Sequence, residues 1–118
     1  MKYGLKESTV AEICAIISRY PQVEKAVLYG SRAKGSQKTG SDIDLTLVGN
    51  AGLNMDILYK IMEDLDELYL PYSFDLSIFK DIRDRDVLEH IRRVGIIFYK
   101  REEIKDQEPA SGGDVRCA

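Results

Sequence analysis

Leu28-Tyr29-Gly30-Ser31-Arg32-Ala33-Lys34-Gly35-Ser36-Gln37-Lys38-Thr39-Gly40-Ser41-Asp42-Ile43-Asp44-Leu45 is the stretch around which the chain is organised. An apolar run enters Gly30-Ser31, a Gly- and Ser-rich basic loop follows, and a second strand opens on alternating carboxylates. Successive strand side chains point to opposite faces, so Asp42 and Asp44 share one face. At about 3.3–3.4 Å per residue their Cα atoms stand roughly 6.6–6.8 Å apart, a spacing from which two carboxylates can converge on hard cations. Gly30 permits close approach of backbone to a ligand. Ser31 adds a hydroxyl and, if a short helix starts there, N–H groups facing an anion. Arg32, Lys34 and Lys38 add positive charge. One segment therefore offers phosphate donors beside metal ligands.

Outward from this stretch the pattern alternates between the two structural periods. Glu7 to Arg19 reads as a helix with Val10, Ile13, Cys14 and Ile17 on one stripe, stopped by Pro21. Val23 to Tyr29 reads as a strand covered on both faces. Asp42 to Val48 reads as the next strand, with Ile43, Leu45 and Leu47 facing the core. Leu53 to Leu68 reads as a helix, with Leu58, Ile61, Met62, Leu65, Leu68 and Tyr69 as its apolar stripe and Glu63, Asp64, Asp66 and Glu67 as its solvated face. Tyr72 to Phe79 alternates, placing Tyr72, Phe74, Leu76 and Ile78 on one face and Ser73, Asp75 and Ser77 on the other. Aspartate is depleted in strands, so Asp75 stands out as a third carboxylate. Asp81 to Val94 reads as the last helix, with Val87, Leu88, Ile91 and Val94 inward, Gly95 as its C-cap and His90 as a surface or partly packed side chain. Ile96 to Tyr99 reads as a short strand or an apolar contact patch.

This order predicts an α/β (α+β) domain with a mixed sheet of about four strands packed with about four helices. The domain spans 1–105, and a flexible polar tail covers 106–118. The chain of 118 residues suits one domain. A net charge of −3 disfavours nonspecific nucleic-acid binding, which needs a basic face. No run approaches a membrane span, and the start lacks the apolar core of a signal peptide. The two cysteines, Cys14 and Cys117, show no zinc spacing and are expected to stay unbridged in a reducing cytoplasm.

Gly30-Ser31, then ten residues, then Asp42-Ile43-Asp44 resembles the signature of the polymerase-β-type nucleotidyltransferase superfamily. The fuller Gly-Ser-Arg-Ala-x-Gly with Ser-Asp-Ile-Asp-Leu resembles the minimal nucleotidyltransferase (MNT) antitoxins, over about residues 5–100. The resemblance implies a Mg²⁺-dependent transferase using ATP as substrate and two Mg²⁺ ions. Asp42, Asp44 and Asp75 would be the catalytic and metal-binding residues, with Gly30, Ser31, Arg32 and Ser41 on the nucleotide. It also implies a helical HEPN toxin as partner, silenced by transfer of AMP to a tyrosine hydroxyl. Two other readings fit the same residues: an antitoxin that masks its partner sterically without turnover, and a subunit of a small-molecule nucleotidyltransferase.

Overall fold

Glu7–Ser18 forms α1 on the expected stripe, with Val10, Ile13, Cys14 and Ile17 all buried. The structure, a computed structural model, describes residues 2–101 and, by backbone, 115–117. After α1 come β1 (Val23–Tyr29), α2 (Ser31–Lys34), β2 (Ile43–Gly49), α3 (Met55–Asp66), β3 (Phe74–Ile78), a 3₁₀ turn (Phe79–Asp81), α4 (Arg85–Val94), β4 (Ile96–Arg101) and β5 (Val115–Cys117). The strands form one mixed sheet in the order β3-β2-β1-β4-β5. Only β2 and β3 run parallel, and α3 supplies the crossover that a parallel pair requires.

Register fixes the two faces of the sheet. Leu28 pairs with Leu45 and Ala26 with Leu47. Leu45 and Leu47 pair in turn with Leu76 and Ile78. These residues join Ile13, Ile17, Leu58, Ile61 and Leu65 of α1 and α3 in one buried core. The opposite face carries the rows Tyr29–Asp44–Asp75 and Val27–Thr46–Ser77. Among the helices it is α4 that lies on this side. Its end comes so close to β1 that a Cβ on Gly95 would overlap the Ile91 carbonyl and stand 2.8 Å from Val27 Cγ1. Gly95 is the C-cap of α4, as the sequence suggests, and with φ −61° it is this close approach that calls for glycine there.

Several expectations are corrected. Asp42 stands just before β2 and is exposed, because the strand begins at Ile43. Tyr69 is 89% exposed: α3 ends at Asp66, and a positive φ of 52° at Tyr69 turns it off the helical stripe. Asp64 is half-buried and accepts a hydrogen bond from Tyr20 Oη at 2.5 Å, which ties α3 to the end of α1. Ile96–Arg101 is a strand, and Val115–Cys117, placed in the polar tail by composition, returns as a fifth strand on its edge. The intervening residues 102–114 lie outside the described residues. Cys14 is disulfide-bonded, against the expectation of unbridged cysteines. The chain's other cysteine stands in β5, which packs on α1, a return that no local pattern announces.

Candidate functional site

The site starts where β1 stops. Gly30 adopts φ 77°, ψ −157°, a region closed to side chains. Its Cα rests on the Asp44 carboxylate, where a Cβ would overlap Oδ2. Glycine is thus required by both backbone and space. The Gly30 carbonyl accepts from Lys34 N at 3.2 Å, which starts the single turn of α2 at Ser31. The Gly30 N–H donates to His90 Nε2 at 3.1 Å. His90 carried no role in the sequence reading. Nothing local could have linked positions 60 residues apart.

Two of the three aspartates meet in register. Asp44 on β2 stands directly opposite Tyr29 on β1 and Asp75 on β3. Burial raises the Asp44 carboxyl above its ordinary value, Asp75 and Asp42 push it further, and Arg32 partly offsets them. Burial likewise raises the Tyr29 phenol; the Ser77 hydroxyl beside it pulls the other way, and Asp75 and Asp44 add to the rise. Asp42 and Asp75 are exposed, and Asp44 is half-buried. Among the described residues no three carboxylate, histidine or cysteine groups close around a single point as a metal site would. The mutual repulsion felt at Asp44 is nevertheless of the kind a cation relieves, and an all-oxygen carboxylate set suits a hard divalent ion.

Arg32 takes a different position from the loop surface. It is 3% exposed. Its Nε and Nη2 donate to the Ser41 carbonyl at 3.2 and 2.7 Å, and Nη1 donates to the Tyr3 carbonyl at 2.9 Å. The guanidinium carbon lies 4.8 Å from the centre of the Tyr72 ring. Arg32 therefore ties the turn ahead of Asp42 to the start of the chain, and reaches Asp44 through its field. The Ser41 hydroxyl accepts from Lys38 N at 2.8 Å, closing the same turn. A cleft of about 450 Å³ opens here, lined by Arg32, Gln37, Lys38, Thr39, Pro71 and Tyr72 among others. The structure thus gathers Gly30, Ser31, Asp44 and Asp75 at one end of the sheet, with Asp42 beside them in sequence, and pairs Arg32 with Ser41 on the flank.

A Gly-Ser turn set against an in-register carboxylate pair on a mixed sheet defines a nucleotidyltransferase domain. Residues 11–104 match the family model described as polymerase beta, nucleotidyltransferase, and the chain belongs to that family. It is 26% identical over 106 residues to the probable protein adenylyltransferase MntA of Haemophilus influenzae, covering 90% of this chain and 92% of that protein. Its fold is similar to that of a toxin–antitoxin crystallised with AMP-PNP (TM-score 0.60, 18% identity, 79% of this chain and 72% of that one). It is also similar to a chain of the complex between tri-AMPylated Shewanella oneidensis HEPN toxin and MNT antitoxin (TM-score 0.58, 14% identity, 79% and 71%).

Proposed function

We propose that the chain transfers AMP from ATP to a tyrosine hydroxyl of a HEPN-type toxin, and so acts as the antitoxin of a pair. The observation that carries this reading is the contact between Gly30 and Asp44, with Asp75 in register beyond. It sets an anion-holding turn directly against the carboxylates. The relative named a protein adenylyltransferase supports the chemistry, and the solved toxin–antitoxin complexes support the class of partner.

Ser31 and the backbone N–H groups of the turn would hold the β- and γ-phosphates. Asp42, Asp44 and Asp75 would hold Mg²⁺, which neutralises charge on the phosphates and on the leaving pyrophosphate when bound. The acceptor oxygen forms a bond to the α-phosphorus as the bond to the pyrophosphate oxygen breaks. Asp75 would take the acceptor proton, a role that its exposure and its position on the edge strand support. Positioning and charge account for the rest of the catalysis. Arg32 acts by holding the turn before Asp42 and not by gripping phosphate, since its three bonded nitrogens point at backbone carbonyls. The tri-AMPylated toxin in the solved HEPN–MNT complex supports a partner that brings the acceptor hydroxyl. Among the described residues no helix is long and apolar enough to cross a membrane. The use of ATP supports a cytoplasmic setting for this reaction.

The test is mass spectrometry of a co-expressed HEPN partner after incubation with ATP and Mg²⁺. A gain of one or more AMP units, lost with Asp42→Asn/Asp44→Asn, is expected. A stable complex with no mass gain would replace this reading with steric masking.

A further inference from the structure

We propose that His90 is a positioning residue for the nucleotide site, and that α4 thereby forms part of that site. The inference rests on the reading of the Gly30-Ser31 turn as the phosphate-holding element. Gly30 follows the last residue of β1, one step beyond the Tyr29–Asp44 pair that ends the β1–β2 ladder. Its N–H has left the ladder, and a strand-end donor must find another acceptor or stay with water. It finds the imidazole of His90 at 3.1 Å.

Three contacts then hold one glycine. His90 takes its N–H, the Asp44 carboxylate packs on its Cα, and Lys34 N bonds its carbonyl. The last two come from β2 and from α2. The first comes from α4, which packs against β1. The plane of the Tyr29–Gly30 peptide sets the direction in which Ser31 and the turn of α2 face, so the acceptor on His90 fixes that aim.

His90 itself is held from both ends of α4. Asp84 caps the helix start, accepting from Asp86 N at 2.9 Å. Gly95 seats the helix end against Val27 and the Ile91 carbonyl. The imidazole also meets the Tyr29 ring edge-on, with centroids 6.2 Å apart at 79°. A hydrogen bond accepted at Nε2 places the ring proton on Nδ1. The ring is thus supported by Tyr29, and the lone pair is directed at Gly30.

Two substitutions separate the acceptor from the packing. His90→Phe keeps a ring against Tyr29 and removes the acceptor. His90→Gln loses the ring and keeps an oxygen at about the reach of Nε2. The experiment measures Gly30 amide hydrogen exchange without nucleotide, and the affinity for ATP with Mg²⁺, in the full parent chain and both variants. We expect faster Gly30 exchange and about three- to tenfold weaker ATP binding in His90→Phe, the size of one neutral hydrogen bond, with both readings near parent in His90→Gln. A His90→Phe chain that matches the parent in both, or a Gln variant that behaves like Phe, overturns the role of His90 alone. A parent chain that binds no ATP sinks the adenylyltransferase reading, and the nucleotide role of His90 with it.

Discussion

Asp44 and Asp75 face each other across the parallel β2–β3 ladder, and the Asp44 carboxyl is held above its ordinary value of 3.8 by burial and by its acidic neighbours. Such a pair is stable only against a cost. Below the ordinary value both native and unfolded chains are protonated at this position, and nothing is lost. As pH rises through the raised native value the folded chain must ionise a disfavoured group, and above it the cost is complete.

Asp44→Asn is therefore expected to raise the melting temperature at neutral pH, with no gain well below pH 3.8. It is also expected to lower AMP transfer by about a hundredfold or more, the usual loss when a charge-stabilising group leaves a transferase site. Thermal melts at the two pH values and a transfer assay check this together. Added Mg²⁺ should raise the melting temperature of the parent and leave that of the variant unchanged, because an ion stabilises only the state that binds it.

Gly30→Ala should damage both stability and activity. The new methyl group must occupy the place of Asp44 Oδ2 while the backbone keeps a φ of 77°. The strain at such a position is about 1–3 kcal/mol. A urea midpoint at or above that of the parent would contradict the described turn.

Arg32→Lys keeps the charge and loses the fork. A lysine cannot donate to the Ser41 and Tyr3 carbonyls at once while stacked on Tyr72. A loss of about 2–3 kcal/mol in equilibrium unfolding is expected, the scale of charge-assisted hydrogen bonds left unmade in a buried place. Limited proteolysis should then cut first in the Lys38–Ser41 turn that Arg32 anchors.

Tyr20 gives an alkaline signature. Its phenol is pushed up from 10.0 to about 12 by burial and by the hydrogen bond to Asp64. The native chain keeps a proton that the unfolded chain releases, so stability should fall as pH rises from about 10 to about 12. Tyr20→Phe should flatten that fall and cost about 1 kcal/mol at neutral pH. An unchanged alkaline slope in unfolding experiments would refute the pairing.

The sequence was most legible where structure is local. The stripe of α1, the span Val23–Tyr29 and the alternation over Phe74–Ile78 follow from periodicity alone. The row of Asp44 and Asp75 was legible only in part. Each residue stood out as an acid in a strand, but their pairing needs the parallel register that α3 makes possible. Arg32 was misleading for a physical reason. A positive side chain in a glycine-rich loop reads as an anion ligand, and no local pattern shows that distant carbonyls of Tyr3 and Ser41 will claim it. His90 and the return of β5 were invisible for the same cause, since both depend on partners far along the chain.

The two faces of β2 imply two different rules of change for a single strand. Ile43, Leu45 and Leu47 answer only to volume and fit, so other apolar residues can replace them when their neighbours adjust. Asp44, half-buried, and Thr46, fully buried, alternate with them on the other face of the sheet, where their polar side chains must meet particular partners. Successive positions along seven residues thus drift under unrelated constraints. A domain built this way can lose most of its sequence likeness to a relative and keep its fold, which suits a fold recognisable at 14% identity.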